Sequence, residues 1–164
     1  MDRKLLALIA LGATLSWNQV QASHVSGGEI VYECLGNGEY QFSLILYRDC
    51  AGIDLDADYD LDFTSSCGNL TLNVQSVSVQ EVSQLCPDDL PNSTCNNGNL
   101  PGLEEHIYTG TITVPPCDDW TVSWSLCCRN DAIVNLLDPD LQDGYLEASF
   151  NNVDFACDNS PQFT

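Results

Sequence analysis

WTVSWSLCC, residues 120–128, places Trp120, Val122, Trp124, Leu126 and Cys128 at every second position, with Thr121, Ser123, Ser125 and Cys127 between them. A period of two belongs to an extended strand with one face on a core and one in water; a helix would repeat its apolar residues every three or four positions. The same alternation returns in GEIVYEC, EYQFSLILYRDC, NLTLNVQSVSVQEV, HIYTGTITV and GYLEASF. Turn-forming clusters separate these runs: Gly36-Asn37-Gly38, the stretch from Pro87 to Gly102, and Pro115-Pro116. Six or seven strands at that spacing, with no long helical pattern, predict an all-β chain folded as an immunoglobulin-like antiparallel β-sandwich. Residues 130–144, NDAIVNLLDPDLQDG, follow neither period and are assigned no element.

The chain opens with Arg3 and Lys4, an apolar run from Leu5 to Leu15, and VQA ending at Ala22. That is the pattern of a secretory signal peptide over residues 1–22. The apolar run falls short of the roughly 20 residues that cross a bilayer, and no second candidate span follows. Residues 23–164 are expected to form one β-sandwich domain, the first module of a longer protein. Without Asp2, Arg3 and Lys4 this part keeps 23 of the chain's 24 acidic residues and two of its four basic ones, Arg48 and Arg129. Nucleic acid and anionic membrane surfaces need a basic footprint, so neither is an expected partner.

Nine cysteines, Cys34, Cys50, Cys67, Cys86, Cys95, Cys117, Cys127, Cys128 and Cys157, all follow Ala22. In an exported chain such density indicates disulfides, and the absence of any C-x-x-C pair disfavours zinc. An odd number leaves one thiol unpaired within the chain. Cys34 and Cys50 stand at opposite ends of the first hairpin, too far apart to bond at ~3.4 Å per residue. A Cys86–Cys95 bridge is favoured, because the loop holding both is rich in proline, aspartate and asparagine and cannot order itself by burial. Adjacent Cys127 and Cys128 should face opposite sides of one strand and take different partners.

Four motifs carry a family resemblance: SHVSGGEI from Ser23 to Ile30, YRDC ending at Cys50, CCRN beginning at Cys127, and CDNSP beginning at Cys157. In these the chain resembles the amino-terminal domain of very large exported proteins of Bacteroidota, which carry a gliding-motility-associated carboxy-terminal sorting domain and leave the cell by type IX secretion. The resemblance implies a secreted or cell-surface protein of adhesin or scaffold type, with further β-sandwich modules following and an unknown surface ligand. It implies no enzyme.

Residues 51–63, AGIDLDADYDLDF, carry Asp54, Asp56, Asp58, Asp60 and Asp62 on alternate positions. Read as a strand over 53–63, they place Leu55, Tyr59, Leu61 and Phe63 on the core and all five carboxylates in water. Calcium is the alternative, since hard oxygen ligands suit it and a loop such as DPDLQD could add more. The doublets Asp88-Asp89 and Asp118-Asp119 point to opposite faces of an extended chain, which is not the flanking geometry of a glycosidase pair. Were cleavage to fall after Ser23, His24 would become an amino terminus able to clamp copper with His106; cleavage after Ala22 fits better, leaving both histidines structural. No G-x-S-x-G elbow or phosphate-binding glycine loop occurs. Trp120 and Trp124 share the apolar face of their strand and read as core. Arg48 and Arg129, isolated among acids, read as structural locks at strand ends.

These readings converge on a non-catalytic extracellular module. The competing expectation is a calcium-dependent carbohydrate-binding or hydrolytic β-sandwich.

Overall fold

The computed structural model describes residues 25–127, 129 and 133–161. Its strands are β1 (Val25–Gly36), β2 (Glu39–Asp49), β3 (Asp58–Ser65), β4 (Gly68–Glu81), β5 (Leu103–Thr113), β6 (Trp120–Leu126) and β7 (Gly144–Phe150). Every pairing is antiparallel. Three short 3-10 turns, Leu90–Asn92, Thr94–Asn96 and Pro139–Leu141, account for the helical residues.

The strand order is β1-β2-β5-β4-β3-β6-β7. Lettered A to G along the chain, that is A-B-E-D followed by C-F-G, the two layers of the seven-stranded immunoglobulin fold. Here the β3–β4 hairpin stays paired from Asp58↔Gln75 to Ser65↔Gly68, so both layers belong to one sheet folded over on itself. The chain is an immunoglobulin-like β-sandwich, as its alternation predicts.

β2 shows why these residues make this fold. Tyr40, Phe42, Leu44 and Leu46 are all fully buried, while Gln41, Ser43 and Ile45 between them are only partly covered. Phe42, Leu44 and Leu46 each contribute about 1.5–3 kcal/mol through lost contact with water. From the opposite layer Phe63 meets Phe42 edge-on at 4.8 Å between ring centroids, and Phe150 lies 5.7 Å from the same ring. Trp120, Val122 and Trp124 of β6 are buried, so both indoles are core. Trp120 also donates its indole N–H to the Pro115 carbonyl at 2.9 Å, pinning the β5–β6 corner to the start of β6. In immunoglobulin domains a tyrosine hydroxyl holds the same corner.

The β1–β2 turn has positive φ at both central residues, Asn37 (55°) and Gly38 (78°). That is a type I′ hairpin, whose twist matches the strands it joins and which asparagine and glycine adopt at least cost.

Three disulfides join pairs of described residues: Cys34–Cys157, Cys50–Cys95 and Cys67–Cys117. The favoured Cys86–Cys95 bridge is therefore corrected. Cys95 bonds Cys50, and Cys86 is an exposed free thiol. The loop orders itself by hydrogen bonds and the bridge to Cys50, not by a bridge within itself: Thr94 N–H to Leu100 O (2.8 Å), Leu100 N–H to Asn92 O (2.9 Å) and Gly98 N–H to Ser93 O (2.8 Å) enclose a fully buried Ser93. This fold-back turns Cys95 inward against Gly102, where an added Cβ would stand 2.5 Å from the Cys95 sulfur. Cys34 and Cys50 are not bonded to each other, in keeping with the hairpin argument. Cys127 is disulfide-bonded; Cys128 lies outside the described residues, and with it the expectation that the vicinal pair takes different partners.

Candidate functional site

The aspartate comb divides at Asp58. Strand β3 begins there, so the expected strand over 53–63 is too long by its first five residues. Residues 52–57 are drawn off the sheet because side chains claim their carbonyls: Arg48 takes Gly52 O and Ile53 O, and the Tyr108 hydroxyl donates to Asp56 O at 2.9 Å. The facing is as expected. Leu61 and Phe63 are fully buried, Leu55 and Tyr59 pack against the core, and all five aspartates are exposed.

Those five carboxylates do not converge on one point. Asp54 pairs with Arg48 at 2.8 Å. Asp58 and Asp60 both accept from the Asn73 amide on β4, at 2.7 and 2.9 Å, and Asp62 accepts from Thr71 at 3.4 Å. An asparagine amide between two carboxylates supplies the positive dipole that a cation would otherwise bring. Among the described residues, three potential metal ligands converge only at Cys50, Cys95 and Glu104 and at Cys67, Cys117 and Asp119. Each of those sets contains a disulfide, whose sulfurs are not thiolates. Melting curves recorded with and without millimolar calcium should therefore coincide, for wild type and for Asp58→Asn/Asp60→Asn alike. A calcium-dependent rise present only in wild type would make the comb a metal site.

Arg48 is the tightest polar node. Its Cα partner across β2 and β5 is Glu104, which puts both on the inward face beyond Leu46. The guanidinium is buried and donates to Glu104 Oε2 (2.6 Å), Gly52 O (2.9 Å) and Ile53 O (2.7 Å), besides pairing with Asp54. His106 approaches the same Glu104 oxygen at 3.1 Å and stacks on Tyr108. Arg48 is thus a structural lock at a strand end, and His106 a buried member of a sheet face. His24, the other half of the copper reading, lies outside the described residues. Arg129 differs: it is exposed, with Nε donating to Asp143 O at 2.8 Å.

Neither acidic doublet forms a paired-carboxylate site. Asp119 accepts from the Ser66 amide and hydroxyl at 3.1 Å, capping the β3–β4 turn beside the Cys67–Cys117 bridge. Asp88 and Asp89 are exposed in the Cys86–Cys95 loop. The raised tyrosine pKa values also follow from structure: burial, then the Asp158 charge, pushes Tyr32 up to about 12. Burial does most to raise Tyr108 as well.

The feature that sequence reading missed is a cavity of about 240 Å³ between the β1 and β7 edges, floored by Trp124 and bordered by Gly27, Gly28, Arg129 and Leu146. Its signal was Gly27-Gly28 inside a strand pattern, which marks close backbone approach. A Cβ on Gly28 would sit 2.5 Å from Ile45 O and 3.0 Å from a Leu146 methyl.

Comparison of the chain with protein-family models, with curated proteins and with solved structures finds no match.

Proposed function

We propose that this chain is a non-catalytic module of an exported bacterial protein, working at the cell surface or outside the cell as an adhesin or scaffold unit. In this reading residues 1–22 are removed on export, and further β-sandwich modules follow in the parent protein. The carrying observation is an immunoglobulin strand order cross-linked by Cys34–Cys157, Cys50–Cys95 and Cys67–Cys117, since such bridges persist in oxidising compartments. Among the described residues no helix is long and apolar enough to cross a membrane. The SHVSGGEI, YRDC, CCRN and CDNSP motifs support the Bacteroidota type IX assignment. The competing calcium-dependent carbohydrate-binding or hydrolytic reading has weaker support, because Asp54, Asp58, Asp60 and Asp119 are engaged by Arg48, Asn73 and Ser66.

Expression in a bacterium with type IX export, joined to a sorting domain, tests the reading. The product should appear at the cell surface, begin at Ser23, and keep the Cys34–Cys157, Cys50–Cys95 and Cys67–Cys117 bridges under non-reducing peptide mapping. Beads coated with it should adhere to producer-cell surfaces or their polysaccharide without releasing soluble product. Reduced chain retained in the cytoplasm would overturn the export assignment, and glycan hydrolysis abolished by an aspartate substitution would overturn the non-catalytic one.

A further inference from the structure

β1 and β7 are the two ends of the strand order, and no ladder joins them. One half of the seam between them is covered by the chain itself. The segment from Cys157 to Ser160 runs back along β1: Cys34 N–H donates to Asn159 Oδ1 (2.7 Å), Tyr32 N–H to Ser160 Oγ (2.9 Å) and Ser160 N–H to Tyr32 O (3.0 Å). The other half, at Val25–Gly28, opens into the 240 Å³ cavity. Strand alternation directs the main-chain groups of Gly28 and Ile30 to the same edge that Tyr32 uses to hold the tail. Gly27 faces open space, for an added Cβ there would meet nothing within 4 Å.

Charge singles this place out. Arg48 is buried and fully engaged, so among the described residues Arg129 is the one exposed cation on an otherwise acidic surface. It lines the cavity, and its two terminal nitrogens have no partner among those residues. The adjoining loop leaves Val134 98 % and Leu137 83 % exposed.

We infer that this seam holds an extended peptide segment of a partner protein, one that carries an apolar side chain next to an acidic one. The peptide main chain pairs with the strand edge that no described residue covers, as the tail does further along, its apolar side chain enters the cavity over Trp124, and its carboxylate reaches Arg129. The inference rests on the reading of the chain as a binding module and names the class of partner. A peptide fits better than a free amphiphile because the cavity is flanked by strand edges, whose amides and carbonyls an extended main chain would satisfy.

The probes are fluorescein-labelled hexapeptides of alternating valine and threonine ending in aspartate, made with the charge at either end, and counterparts ending in lysine. Anisotropy against the oxidised protein should show an aspartate peptide binding about tenfold more tightly than its lysine counterpart, the scale of one charge-assisted hydrogen bond. Arg129→Gln should erase that preference without moving the melting temperature, and Gly27→Leu, which adds bulk at the cavity border where an added Cβ meets no atom within 4 Å, should weaken both peptides. No binding, equal binding of the two peptides, or binding indifferent to both variants would overturn the inference, as would decanoate binding where the peptides fail. Beads that still adhere while every peptide fails would leave the module reading standing and remove only this site.

Discussion

Arg48→Ala should cost about 3–5 kcal/mol of folding stability, the range for removing one partner from a buried ion pair. Four contacts go with it, and their surroundings decide how much each matters. Asp54 is 94 % exposed, so its pairing is screened by water and contributes little. Glu104 is only 22 % exposed and loses a 2.6 Å charge-assisted bond, left facing His106 alone. Gly52 O and Ile53 O lose the donors that hold the β2–β3 connection off the sheet. Asp54→Asn should accordingly change stability by less than about 1 kcal/mol. Arg48→Lys should recover only part of the loss, because an ammonium cannot present the planar fork that reaches two carbonyls and two carboxylates together. Urea denaturation of the oxidised protein checks all three. An Arg48→Ala variant within about 1 kcal/mol of wild type would reduce the node to an ordinary surface pair.

The same residue shows how far the chain can be read without coordinates. A lone arginine beside a cysteine, in a sequence nearly free of cations, signals a lock, but its partner Glu104 follows only from the β2–β5 register, a non-local fact. β2 and β6 were legible because their two faces differ in chemistry at every position. Residues 53–57 have the same alternation and are not strand, since competition from Arg48 and Tyr108 for their carbonyls cannot be seen in a local pattern. Disulfide pairing failed for a related reason. The Cys86–Cys95 loop satisfies its own backbone, so proximity in sequence lost to the fold-back that brings Cys95 to Cys50. The cavity at the seam needed both the strand order and the course of the C-terminal segment, and only Gly27-Gly28 hinted at it.

Replacing Cys34 and Cys157 together by alanine should remove about 4 kcal/mol. This bridge spans 123 residues, but the Cys67–Cys117 bridge gives a shortcut, from Cys34 to Cys67 and then Cys117 to Cys157, that leaves a closed loop of roughly 70 residues in the chain-entropy picture. A loop that size still ranks among the larger stabilising terms in a domain whose net stability is on the order of 5–15 kcal/mol. The loss has a local signature as well. Without the bridge, the Ser160 and Asn159 hydrogen bonds to Tyr32 and Cys34 must hold the tail against its own chain entropy. The tail should then fray, and protease should clip it near Asp158 while the sandwich survives. Freed of the Asp158 charge and partly rehydrated, Tyr32 should titrate below its native value of about 12. The sign is fixed: Tyr32 is raised in the native state, so its contribution is present below the unfolded pKa near 10 and is lost as pH climbs through the native value. Wild type should therefore lose stability at alkaline pH more steeply than the Cys34→Ala/Cys157→Ala variant. Equal alkaline sensitivity, with the tail still protected from protease, would show that the hydrogen bonds hold the β1 edge without the disulfide.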